Sequence, residues 1–141
     1  PVDRVAFASQ QLAGEEGEGQ RLHLAAIQSL ATLAHKDLGA PVALQVQSIL
    51  LPLSWKGNST RIRSAAIKNL APWLAYINSV APSPAEQSTL TTLRNAIYSK
   101  SALLRRAAVT AMAGRHDLFT AEVRYLIAHE PDARVRRLLE Q

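Results

Sequence analysis

Apolar residues along this chain return every three to four positions, and nowhere do apolar and polar residues alternate over several positions with β-branched enrichment. The first spacing puts one stripe on a helix, whereas the second would put one face on a strand, so the pattern predicts an all-α chain. A first helix is expected over about 2–13, with Val2, Val5, Ala6 and Leu12 on one side. Gly14-Glu-Glu-Gly-Glu-Gly19 reads as a loop, because three glycines and three like charges offer nothing to pack. A second helix from about Gln20 buries Leu22, Ala25, Ala26, Leu30 and Leu33, carries His35 and Lys36 in its last turn, and stops at Gly39. A third opens at Pro41 and buries Val42, Val46, Ile49, Leu50 and Leu53, after which Trp55-Lys-Gly-Asn-Ser59 is a turn. The fourth buries Ile62, Ala65, Ala66, Leu70 and Leu74, and Pro72 inside that pattern predicts a kink or a break at about Ala71.

The second half follows the same grammar. Ser83-Pro-Ala-Glu86 has the form of a capping box with proline at the first helical position, and the helix it opens buries Leu90, Leu93 and Ile97. A turn near 99–101 leads to a sixth helix with Leu104, Ala107, Ala108, Ala111 and Met112 inside, ended by Gly114. A short seventh from about Thr120 presents Val123, Leu126 and Ile127, His129-Glu-Pro-Asp132 breaks it, and Asp132 caps an eighth.

One phrase recurs in every second helix. Leu22-His-Leu-Ala-Ala-Ile-Gln-Ser-Leu-Ala31, Ile62-Arg-Ser-Ala-Ala-Ile-Lys-Asn-Leu-Ala71 and Leu104-Arg-Arg-Ala-Ala-Val-Thr-Ala-Met-Ala113 share an aliphatic residue, a basic one, a free position, two small apolar residues and a third apolar one. Val135-Arg-Arg-Leu-Leu139 begins it again. Ala25 to Ala65 spans 40 residues, Ala65 to Ala107 spans 42, and Ala107 to Leu138 spans 31. Periods of this size, each holding two helices, are the mark of an α-solenoid. The paired alanines suit it, because small side chains let helices approach to the short end of roughly 8–10 Å.

Composition agrees with a folded chain: 48% of the 141 residues are hydrophobic, 19% are charged and 5% are aromatic. There is no cysteine, so disulfides, thiolate catalysis and thiolate metal sites are excluded. No apolar run approaches the roughly 20 residues that cross a bilayer, and no basic-then-apolar signal segment opens the chain. The expectation is therefore a single domain over 1–141, cytoplasmic by default, with no membrane insertion.

Charge is uneven along it. Residues 1–57 carry four basic and five acidic side chains, net −1, and residues 58–141 carry twelve and six, net +6. An anionic partner for the second half and a solvated basic face both fit that asymmetry.

The phrases at Ile62–Ala71 and Leu104–Val109, with Asp132-Ala-Arg-Val-Arg-Arg137, resemble the second helix of HEAT repeats, the last two most closely the short bilin-lyase type. The resemblance implies a right-handed, armadillo/HEAT-like superhelix of about four helix pairs. In that family the basic column pairs with an acidic residue of a neighbouring turn. The column here is His23, Arg63, Arg105 and Arg136; His23 departs from it, and only the fourth phrase has an acid, Asp132, just ahead.

Candidate binding residues follow from the charges that the phrase leaves outside its core. Arg61, Arg63, Lys68, Lys100, Arg105, Arg106, Arg134, Arg136 and Arg137 cluster near successive second helices. Cations at a helix N-terminus oppose the macrodipole, so either salt bridges to Asp117, Glu130 and Asp132 or an anionic ligand should offset them. Trp55, at a helix end, is a further contact candidate, while Trp73 reads as a core filler. Asn58-Ser-Thr60 fits a glycosylation sequon and, more simply, a helix cap.

Catalysis finds little support. His23, His35, His116 and His129 form no ligand pair at i, i+4. His129-Glu130 is a single instance of the His-Glu pairs that the HEAT-like di-iron hydroxylase uses several times. Gly14–Gly19 carries the wrong charge for a phosphate cradle. The leading expectation is a non-catalytic scaffold, without metal or cofactor, that binds a protein partner. The alternative is a nucleic-acid or phosphate binder using the basic half, as some HEAT-like proteins bind DNA. A third reading, prompted by the phrase cut short at Gln141, is a segment of a longer array that packs on further repeats or another domain.

Overall fold

A computed structural model describes residues 16–35, 39–55 and 57–140. The helix expected over 2–13, Lys36, Lys56 and Gln141 lie outside them. In chain order the elements are α1 (Glu16–His35), α2 (Ala40–Leu53), α3 (Thr60–Lys68), α4 (Ala71–Leu74), α5 (Pro84–Ile97), α6 (Ala102–Met112), a 3-10 turn (His116–Phe119), α7 (Thr120–His129) and α8 (Ala133–Leu139). No strand occurs among the described residues.

Local chemistry sets most boundaries. Ser83 accepts from the Glu86 amide while Glu86 reaches back to the Ser83 amide, so the expected capping box starts α5. Ser59 caps α3 through the Ile62 amide at 3.2 Å, the capping role expected for the Asn58–Thr60 turn. Asp132 caps α8 through the amides of Arg134 and Val135. Pro72 cannot donate to the α3 ladder, and the chain answers with a turn at Asn69 and Leu70 and a restart at Ala71. Gly39, with φ 96°, takes a left-handed conformation at the start of α2.

Helices α1, α3, α6 and α8 pack successively on one another, and α2, α5 and α7 lie beside them as a second layer. Inside sits one continuous core, in which Ile62, Ala66, Ile67 and Leu70 of the second phrase meet Leu104, Ala107, Ala108, Ala111 and Met112 of the third. Trp73 is buried among them, as a core filler should be. A fully buried Leu or Ile contributes roughly 1.5–3 kcal/mol relative to exposure, more than a hydrogen bond's ~1 kcal/mol. The recurrent phrase is therefore first a packing device.

Three expectations are corrected. Residues 16–19 are helical, not a loop: they form the opening turn of α1, where a helix needs no side-chain packing and acidic residues complement the positive end of its dipole. The stripe of α1 is rotated by about one residue. Leu22 and Ala25 are exposed, while His23, Ala26, Ile27 and Leu30 face the core, because the buried side is the one that α2 and α3 cover. The side chain of Leu33 lies outside those described. On α7, Leu126 is buried and Val123 half-buried, but Ile127 is 64% exposed and the charged Glu122 turns inward instead. Arg94 of α5 meets Glu122 at 3.0 Å, donates to the Leu118 carbonyl and lies over the Phe119 ring. A pair from two helices thus replaces an aliphatic contact.

Candidate partner-binding surface

The arginine column resolves into a repeating unit. Ser59, Ser101 and Asp132 are the N-caps of α3, α6 and α8. Three positions after each cap stands Ile62, Leu104 or Val135, all in the core, and four positions after it stands Arg63, Arg105 or Arg136. Each of these arginines turns back to the chain that ends the preceding helix. Arg63 Nε donates to the Ser54 carbonyl at 3.2 Å, Arg105 Nη1 to the Ser99 carbonyl at 2.9 Å, and Arg136 Nη1 to the carbonyls of Glu130 at 3.0 Å and Pro131 at 2.7 Å. A cation there meets the negative end of one helix dipole and satisfies carbonyls that lack an intrahelical partner. That is what offsets its unfavourable place near the start of the next helix.

The acids divide the work differently from the sequence expectation. Glu130 does pair with the column: Arg105 Nε lies 2.6 Å from its Oε1 and 3.0 Å from its Oε2. Asp117 pairs instead with Arg115, outside the column, at 3.0 and 3.1 Å, and that hydrogen bond holds its carboxyl below the ordinary value. Arg115 also donates to the carbonyls of Leu74 and Ile77, tying the 3-10 turn to the end of α4. Asp132 forms no ion pair among the described residues. Its carboxyl is held low by the Arg134 and Val135 amides that it caps. At the first column position, His23 is buried, and burial lowers its pKa.

The remaining charges point elsewhere. Arg61 and Lys68 of α3 and Arg106 of α6 line a groove of about 420 Å³ with Leu24, Ser64, Ala65, Leu103, Ala107 and Thr110. Among the described residues no acidic side chain lines it, and none of these three cations has an ion pair or side-chain hydrogen bond. The Ser64 and Thr110 hydroxyls donate to carbonyls of their own helices, at 3.0 and 2.9 Å. Arg134 and Arg137 are exposed on α8, and Lys100 is exposed before α6. Trp55 is not part of this groove. Half-exposed, it borders another, lined from α5 by Pro84, Gln87, Thr91 and Asn95.

Leu24 and Leu103 were not among the sequence candidates. The signal for Leu103 was present: it lies one position before the buried Leu104, so a leucine pair had to leave one member outside. His129 stacks on Tyr125 at 4.6 Å and its Nδ1 lies 2.9 Å from the Tyr125 carbonyl, while Glu130 is held by Arg105, so the two side chains serve separate contacts. Among the described residues no helix is long and apolar enough to cross a membrane. The chain matches no family model, no curated protein and no solved structure.

Proposed function

We propose that this chain is a non-catalytic interaction scaffold of the HEAT-like α-solenoid type, which holds a protein partner on the outer face of its second helices. The observation that carries the reading is the division of labour among the arginines. Arg63, Arg105 and Arg136 tie each second helix to the one before it, and Arg61, Lys68 and Arg106 are left around a groove that no acid among the described residues lines. The successive packing of α1, α3, α6 and α8, with a second layer beside them, supports the superhelical architecture. Arg134 and Arg137 are exposed on α8, where a further repeat or another domain is the occupant this reading gives them.

The same unneutralised groove favours nucleic acid as the second reading, since phosphates seek such cations. Selection of displayed peptides on the purified chain tests the two together with DNA and RNA binding at about 50 mM salt. The scaffold reading expects enriched peptides whose binding is lost when Arg61, Lys68 and Arg106 are reversed to Glu. Steeply salt-dependent nucleic-acid binding with no enriched peptide would replace it by the second reading.

A further inference from the structure

Resting on the scaffold reading, we infer that the groove between α3 and α6 takes an acidic amphipathic peptide segment, with carboxylates on Arg61, Lys68 and Arg106 and a large apolar side chain on Leu24 and Leu103. Charge complementarity comes first: three cations line the groove and, among the described residues, no anion does. A partner carboxylate therefore displaces no existing ion pair there, and attraction across the contact adds to encounter rate and orientation. Arg61 and Lys68 lie two helical turns apart, roughly 10 Å along the axis of α3. Carboxylates separated by two turns of a partner helix match that span.

Between the cations the surface is apolar. Leu103 is 42% exposed, Leu24 half-buried, and Ala65 and Ala107 keep the floor low. These groups ask for an aliphatic or aromatic side chain from the partner, and a purely charged strand leaves them wet. Nucleic acid fits less well on the same chemistry. Among the described residues no aromatic ring lines the groove to stack a base, and the Ser64 and Thr110 hydroxyls already donate to their own helices. Cations around an apolar strip are the complement of an acidic helix with one apolar edge.

The test is fluorescence anisotropy with a labelled peptide bearing Glu and Leu at helical spacing, at about 50 and about 300 mM salt. Its Glu→Gln and Leu→Ser counterparts and single- and double-stranded DNA of equal charge are run beside it. The expected result is binding of the Glu/Leu peptide, weakened roughly tenfold or more in either counterpart and in the protein variant Arg61→Glu/Lys68→Glu/Arg106→Glu. Leu103→Ser weakens it several-fold, and unchanged thermal melts show that both variants are folded. Equal binding of the Glu→Gln counterpart, lost with Leu103→Ser, overturns the acidic partner and leaves the scaffold reading standing. Equal binding of the Leu→Ser counterpart reduces the groove to general anion attraction and overturns the apolar half. DNA binding tighter than the peptide and lost on the same charge reversal overturns both this inference and the scaffold reading. An absence of any peptide binding at the lower salt also overturns the inference.

Discussion

Arg105 and Glu130 form the most buried ion pair among the described residues: Nε lies 2.6 Å from Oε1, the Glu130 side chain is 0% exposed and that of Arg105 13%. The same guanidinium donates to the Ser99 carbonyl after α5. One side chain thus joins α6, the end of the helix before it and the turn that leads into the next second helix. Removing either partner leaves the other charge buried without its counterpart, which costs about 3–5 kcal/mol. Arg105→Ala and Glu130→Gln should each lose stability of that order by chemical denaturation, and the double variant Arg105→Met/Glu130→Leu much less. A loss under 1 kcal/mol in the single variants would show that the pair does not hold the turn.

The division within the arginines predicts a matching division in stability. Arg63→Ala and Arg136→Ala each remove a guanidinium that donates to backbone carbonyls, at a cost of about 1–2 kcal/mol. Arg61→Ala, Lys68→Ala and Arg106→Ala change exposed side chains with no internal partner among the described residues, and should stay within about 0.5 kcal/mol of the parent. Melting temperatures across the six positions, Arg105 included, should fall into two groups along that line.

The Ser83 capping box makes a local prediction. Ser83→Ala leaves the Glu86 amide without its acceptor and should destabilise the protein by about 0.5–2 kcal/mol, with Ser83→Asp restoring most of it. Circular dichroism in urea measures both. Equal stability of parent and Ser83→Ala would mean that α5 is held by its buried Leu90, Leu93 and Ile97 alone.

Acid should destabilise the fold in two stages. Burial lowers the pKa of His23 below its ordinary 6.5, so the folded chain keeps it neutral while the unfolded chain takes up a proton. The unfolded state then binds more protons, and stability present above about pH 6.5 is lost as pH falls through the lowered value. Asp117 and Asp132, held below their ordinary 3.8 by their hydrogen bonds, add a second loss below that pH. His23→Gln should abolish the first stage in a stability profile from pH 7.5 to 3 and leave the second. A profile unchanged by that substitution would contradict the buried histidine's part in it.

Most helix boundaries were legible because they are written locally. Ser83-Pro-Ala-Glu86, Asp132 and Pro72 act through neighbours within four residues, and each acts where its chemistry predicted. The core of the second and third phrases was legible for the same reason, since a stripe and its period lie in the chain itself. What escaped depends on the partner helix. Whether Leu22 or His23 of α1 turns inward is decided by where α2 and α3 lie, and a single residue's rotation exchanges them. Glu122 is inside and Ile127 outside because Arg94, 28 positions earlier than Glu122, comes within 3.0 Å of it. The arginine column was visible as a column, but whether its members face solvent or a carbonyl was not. Arg63 and Arg61 look alike in sequence, and only the Ser54 carbonyl separates them.

In the proposed scaffold, the free face of α3 and α6 receives a protein partner while the column arginines hold the helices together. Amide chemical-shift mapping of the labelled chain, titrated with the Glu/Leu peptide, locates the contact residue by residue. Perturbations should concentrate on residues 60–68 and 102–112 around Arg61, Lys68, Leu103 and Arg106, and disappear in the charge-reversed variant. Perturbations centred instead on Trp55 and α5, or shifts of the groove residues with DNA and none with the peptide, would contradict it.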